Sequence, residues 1–411
     1  MNNNTTYKDS PLGKIPSDWE VTTLGSLGQF SKGKGILKDQ LNDSGLPCIR
    51  YGEIYTTYDF IVKNVKSFIT EEVSKESQEI KKGDILFAGS GETTEEIGKA
   101  VAYINDEKAY VGGDVIILST YKSVNAEWLS FTLEINVARK QKRVLGQGNS
   151  VVHIYSKELS KVKLPLPPLP EQTRIAEVLS AWDKAISNVQ ATIEQVELRN
   201  KWLMQELLSG KRRLKGFGEE WKRLHIHEVA NEVSIRNKDN KQLIVLSCTK
   251  YDGLVDSLKY WGRQIFSEDV STYKIVPKYH FAYATNHIEE GSVGYQSTLN
   301  EALISPMYTV FKTNKSINDD FFFKLLKSHR LIYEYNARME GSIDRRGGLR
   351  WDAFSILKIN LPTLGEQTAI AQVLQAANKE VQLLRSKLDK LKEQKKGLMQ
   401  VLLTGKKRLV V

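Results

Sequence analysis

The residues of this chain best equipped for chemistry are basic, hydroxyl and amide side chains on glycine-rich loops. In the first half these are Lys32 and Lys34 within 31–35, Ser90, Thr93 and Thr94 within 88–94, and Gln147, Asn149 and Ser150 within 146–150. In the second half Asn286, Arg338, Arg345 and Arg346 take that part, with Arg350 nearby. Lysine and arginine neutralise phosphates, while arginine, asparagine and glutamine read guanine or adenine edges through paired hydrogen bonds. The chemistry on offer is therefore DNA contact. On a protein without that role, the same loops are solvated turns.

Other chemistries find less support. The segment 91–100 has glycines at 91 and 98 and Lys99, but six residues separate the glycines where a phosphate loop has four, and Ala100 stands where a metal-binding hydroxyl belongs. It reads as a turn between strands. His225 and His227 offer two imidazoles with no third ligand close in sequence. The two cysteines, Cys48 and Cys248, fall one in each half and form neither a disulfide framework nor a zinc spacing. Carboxylates are plentiful, yet no arrangement singles out an acid/base pair. The residues give no positive case for catalysis and little for a metal site.

The elements that must hold these loops are announced by a repeat. Leu166 to Leu214 and Leu361 to Leu409 match without a gap at an offset of 195 residues. Self-similarity at a domain-sized period points to two comparable halves, not to a solenoid. Each copy carries an apolar seam at alternating fours and threes: Ile175, Leu179, Trp182, Ile186, Val189, Ile193 and Val196 in the first, Ile370, Leu374, Ala377, Val381, Leu384, Leu388 and Leu391 in the second. That is the pattern of helix packed on helix. Pro170 and Glu171 supply the start, and Gly210 and Gly405 the stop. A helix over about 171–209 would be roughly 58 Å long, so it needs a partner, and the other copy supplies one. Two polar residues interrupt the seams, Asn200 and Lys395. Antiparallel pairing sets Lys395 under Trp182, where a cation-π contact is possible, and Asn200 opposite the small Ala377. Parallel pairing would bury both polar groups at one level.

Between the repeats the chain reads as two mixed α/β heads. In the first, strand-like runs at 47–51, 84–88, 100–104 and 114–118 precede a helical stretch over 125–142, with Trp128, Phe131, Leu133, Ile135 and Val137 available to a core. In the second, 280–284 answers 84–88, 307–312 answers 114–118, and the helix from Asn318 to about Tyr335 answers the one from Asn125. Residues 1 to about 10 read as disordered. The division is head 1–165, helix 166–214, head 215–360 and helix 361–411. Scaffold segments match closely while the heads have diverged, which suits two different readings of DNA at a set spacing. The basic tails 211–213 and 406–408 recur with the scaffold, so they fit a sequence-neutral contact or the carbonyl ends of the helices.

Composition agrees with this reading. The 411 residues are 41% hydrophobic and 26% charged, with a net charge of +10 that favours a polyanionic partner. No apolar run approaches the ~20 residues of a membrane span, and the polar start MNNNTTYKDS lacks the apolar core of a signal peptide. The expectation is a cytoplasmic protein.

These residues carry a resemblance. The segments 164–179 (LPLPPLPEQTRIAEVL) and 359–374 (INLPTLGEQTAIAQVL), the closings LMQELLSGKRRL and LMQVLLTGKKRL, and the Pro16/Trp19 lead-in are similar to the DNA specificity subunits of type I restriction-modification systems. Residues 49–55 and 84–93 resemble a first-head type of that family. Gly365 departs from the usual proline, which Pro170 keeps. The resemblance implies an α+β fold: two target recognition domains of similar fold, separated by two long helices in an antiparallel coiled coil with pseudo-twofold symmetry. It implies that each domain reads one half of a gapped DNA site, while the helices set the gap and dock two modification subunits. Those partners would bring S-adenosylmethionine, and restriction subunits ATP and Mg²⁺. A free-standing two-headed methyltransferase or nuclease, and a coiled-coil adaptor without DNA affinity, are the alternatives.

Overall fold

A computed structural model of the chain describes residues 6–148, 151–339 and 348–409. Contacts divide it into two units, one joining the chain up to Gln190 with the segment from Lys387, the other Ala191–Ser386. Among the described residues no helix is long and apolar enough to cross a membrane.

In the first unit the central strand is Asp84–Ala88, flanked by Val115–Thr120 and Ala100–Tyr103, with Gly28–Lys32 and Ile61–Val62 at the edges of the five-stranded sheet. Side chains alternate across a strand, so its two faces serve two cores. Ile85 and Phe87 face the helix α1 (Ala126–Leu133), where Trp128 and Phe131 are fully buried. Leu86 and Ala88 face a four-stranded sheet of Ser67–Ile69, Leu46–Ile49, Ala109–Val111 and Gln78–Ile80. Helix α2 (Asn136–Leu145) follows α1 after a break at Glu134 and Ile135. The single helix expected over 125–142 is thus two, because the buried Ile135 leaves the helical conformation to start α2 in extended backbone. The strand expected at 47–51 is likewise shorter, since Tyr51–Thr56 is a helix turn, capped where the Arg50 amide donates to the Glu53 carboxylate. Residues 6–10, expected to be disordered, include Tyr7–Lys8 paired with Ile15–Pro16, and the Tyr7 hydroxyl donates to the Gly405 carbonyl at 3.2 Å. The long helix α3 runs Leu169–Ser209.

The second unit repeats this order. Its central strand His280–Ala284 lies between Tyr308–Thr313 and Val293–Gln296, with Ala230–Glu232 at the edge. The second sheet orders Gly253–Asp256, Val245–Thr249, Glu301–Ile304 and Lys274–Pro277, the order of their counterparts in the first unit. Phe281, Phe311, Phe322 and Phe354 form an aromatic core beneath the helix α4 (Asp319–Leu326). Helix α5 (His329–Arg338) begins where the Ser328 hydroxyl accepts from the Leu331 amide, which splits the expected 318–335 helix as in the first unit. The second long helix, α6, runs Leu364–Leu402.

Within each unit α3 and α6 pair antiparallel. In the second unit Asn200 donates to the Ala377 carbonyl at 2.8 Å, flanked by Arg199–Glu380 and Arg385–Glu197 ion pairs. In the first, Lys395 bonds Asp183 at 2.5 Å. Leu179, Ile193, Val196 and Leu374 are buried in the seams, while Trp182, Ile186, Val189, Val381, Leu384, Leu388 and Leu391 are half-buried. One expectation is corrected: the rings beneath Lys395 are Phe60 and Phe131, 3.9 and 4.8 Å from the ammonium, and not Trp182. The lysine stem crosses the seam and ends on the head's aromatic core.

Both helices close as glycine predicts. Gly210 and Gly405 sit at φ +72° and +71°, and the amides of Arg212 and Lys407 reach back to the Glu206 and Val401 carbonyls. A side chain at either position would strain that left-handed turn.

Candidate nucleic-acid interface

The loop leaving the central strand of the first unit gathers several of the residues singled out in the sequence. Ser90 and Gly91 pair with His153 and Val152, and Gln147 exchanges backbone hydrogen bonds with His153 at 2.8 and 2.7 Å. The Gly89 amide donates to Asp114, whose carboxylate lies 3.8 Å from the exposed Lys32 ammonium. The Lys34 amide donates to the Val111 carbonyl at the same sheet end. Lys32, Lys34, Ser90 and Gln147 therefore share one edge of the unit. Thr93 and Thr94 lie on the turn beyond it, Thr93 exposed and Thr94 bonded to the Glu95 carboxylate at 3.2 Å. Asn149 and Ser150 lie outside the described residues.

Ser90 is placed differently from its neighbours. It is 4% exposed, and its hydroxyl bonds His153 Nδ1 at 2.9 Å, so it orients the imidazole. His153, stacked with the exposed Tyr155, is a polar group on this edge that the sequence reading passed over. The alternation of buried Val152 and Ile154 with outward His153 and Tyr155 is the signal that would have found it.

In the second unit the Leu349 amide donates to the Thr285 carbonyl at 2.8 Å, which brings Asn286 beside the segment carrying the exposed Arg350. The loop after the central strand thus meets the chain returning from the helices in both units. Arg338 is at the end of α5, 3.7 Å from Glu334 one turn back. Arg345 and Arg346 lie outside the described residues. His225 and His227 stack at 5.2 Å, each ring bonded through Nδ1 to a carbonyl, of Ile356 and Ser355. Among the described residues the ligand-type side chains close enough to share a cation are His287, Glu289 and Glu290, after Asn286.

Each unit also holds a clamp built from the repeat. Glu171 at the start of α3 is 2% exposed and accepts from Trp19 Nε1 at 2.9 Å and from Arg408 Nε and Nη2 at 2.6 and 2.7 Å. Arg408 also forks to Asp18 at 2.8 Å, which holds that carboxyl below its usual range. The second unit repeats the set with Glu366, Trp221 at 3.2 Å and Arg213 at 2.6 Å. The neighbouring glutamines do matching work: Gln172 accepts from the Asn125 amide and donates to Pro167, while Gln367 accepts from Asn318 and donates to Pro362. Arg213 and Arg408, read from sequence as contacts to DNA or to helix carbonyls, are held in these clamps.

The residues 16–198 match the family described as Type I restriction modification DNA specificity domain. The second unit carries the same strand order and the same clamp, and the type I restriction enzyme MjaVIII specificity subunit of Methanocaldococcus jannaschii aligns over both, 23% identical across 98% of this chain and 96% of its own length. Residues 16–198 belong to that DNA specificity family, and the chain as a whole is similar to type I restriction enzyme specificity subunits. The fold is similar to that of the type I restriction-modification system S subunit from M. genitalium (TM-score 0.55, 16% identity, 98% and 97% of the two chains). It is also similar to the HsdS subunit from Thermoanaerobacter tengcongensis (TM-score 0.59, 17% identity, 97% and 100%).

Proposed function

We propose that this chain is the DNA-reading subunit of a type I restriction-modification assembly, with each head reading one half of a gapped site. The observation that carries this is the repetition of one scaffold with different side chains on its equivalent edge: Gln147 and His153 on one head, Asn286 and Arg350 on the other. Amide and guanidinium groups hydrogen-bond to base edges in pairs, so unlike sets read unlike sequences. The paired helices α3 and α6 then set the unread gap and dock two modification subunits, whose match to a duplicated surface follows the logic of symmetric assembly.

In this reading the chain binds no cofactor. S-adenosylmethionine sits on the modification subunits, ATP and Mg²⁺ on restriction subunits, and the protein works in the cytoplasm beside its DNA. Mapping methylated adenines in cells that carry this chain and its modification partner tests the proposal. The expected result is a bipartite motif with an invariant gap. Turnover by the purified chain alone with S-adenosylmethionine or Mg²⁺ would overturn it, as would absence of DNA affinity in the assembled complex.

A further inference from the structure

A feature outside the reading edges recurs in both heads. The strand Leu46–Ile49 ends in Arg50-Tyr51, and its counterpart Val245–Thr249 ends in Lys250-Tyr251. Each pair follows a cysteine by one residue, at Cys48 and Cys248. Tyr51 is 36% and Tyr251 82% exposed, and both are aromatic rings offered to solvent. Among the described residues neither Arg50 nor Lys250 has an ion-pair partner, and the Lys250 ammonium rests 5.4 Å over the Tyr251 ring.

Both pairs stand next to the reading edges. In the first unit the Gly112 amide donates to the Ile49 carbonyl and the Lys34 amide to Val111, which sets Arg50 and Lys34 on either side of one turn. The helix turn that Tyr51 opens packs on Gly91, where an added Cβ would meet the Tyr55 hydroxyl at 2.8 Å. In the second unit the Lys250 carbonyl accepts from Lys327 and approaches Gly291, in the loop that carries Asn286.

We propose that Arg50-Tyr51 and Lys250-Tyr251 are matched DNA-backbone clamps, one per head, holding a phosphate and its sugar while the neighbouring edge reads bases. The inference rests on the DNA-reading function above. Its logic is what the heads keep in common. Residues that choose a sequence must differ between heads that read different sequences, whereas a contact to phosphate serves any sequence and can stay the same. An unpaired cation beside an exposed tyrosine has the chemistry for that contact: charge for the phosphate, a phenol hydroxyl and ring for the phosphate oxygen and the sugar.

The test uses the full chain assembled with its modification subunits, and mixed-sequence duplex DNA titrated across salt. Arg50→Gln and Lys250→Gln should each weaken binding roughly three- to tenfold and lower the salt slope by about one, additively in the double variant. Arg50→Lys and Lys250→Arg should restore the slope, and the map of methylated sites should keep both halves of its motif in every variant. A methylated motif relaxed in one half would make the pair a base reader and overturn the inference. Unchanged affinity and slope would remove the pair from DNA, and weakened subunit assembly with intact DNA binding would assign it to a protein interface. If the unaltered complex shows no salt-dependent binding, the DNA-reading function itself fails. A normal slope retained by the variants sinks the clamp alone.

Discussion

Glu171 and Glu366 are the residues on which each head's attachment turns. A carboxylate as buried as Glu171 is tolerable only because a guanidinium forks onto it and an indole donates to it. Removing one partner of such a pair leaves an uncompensated charge, so Arg408→Ala should cost about 3 kcal/mol, read from the urea midpoint of the full chain. The pairing of Arg408 with Asp18 sets an acid limb. Asp18 is held below its ordinary value by Arg408, so the unfolded chain binds the extra proton; the stability it adds is present above about pH 4 and fades as pH falls through the lowered value. In Arg408→Ala that part of the acid limb should flatten. A limb of unchanged steepness would mean that Asp18 is not coupled to Arg408. At the reading edges, Arg350→Ala should relax preference in one half of the methylated motif by ~1–3 kcal/mol of discrimination, with the other half untouched.

Among the elements, the paired helices carry an asymmetry. The position occupied by Lys395 in α6 is Asn200 in α3, and each polar group meets a different partner: Asp183 with Phe60 for the lysine, the Ala377 carbonyl for the asparagine. Burial pulls the Lys395 ammonium down and pushes the Asp183 carboxyl up, each resisted by the other. Lys395→Met alone should destabilise the first unit by leaving Asp183 unpaired, while Lys395→Met with Asp183→Leu should recover the loss or exceed it. A double variant no better than the single would show that the pair is a net source of stability. Inserting one helical turn at matched points, between Ile186 and Val196 in α3 and between Val381 and Leu391 in α6, should lengthen the gap of the methylated motif and leave its halves intact. An unchanged gap would take the spacing role away from these helices.

For the whole molecule, the net charge of +10 sets the scale of its attraction to a polyanion. Binding by the complete assembly should weaken steeply with salt through release of counterions, measured as the slope of log K against log salt. A flat dependence would be hard to reconcile with two heads whose exposed edges carry Lys32, Lys34, Arg50, Lys250 and Arg350. The two heads differ in sequence, and the strand order of the second sheet beneath is kept.

Much of this architecture was legible before any coordinates. The 195-residue repeat, the four-three spacing of apolar residues and the closing glycines are local patterns, and local patterns determine helices, their ends and their need for a partner; the antiparallel pairing followed from where Asn200 and Lys395 could be tolerated. The reading edges were half legible, because glycine, amide and basic residues mark loops but do not say which loops meet. Sheet pairing decided that Ser90 is buried under His153 and that Gln147 joins them, and antiparallel helix pairing brought Arg213 and Arg408 to carboxylates 153 and 237 residues away. Contacts between residues so far apart in the chain depend on which strands lie side by side, and that ordering is a property of the packed sheets that no stretch of sequence contains on its own.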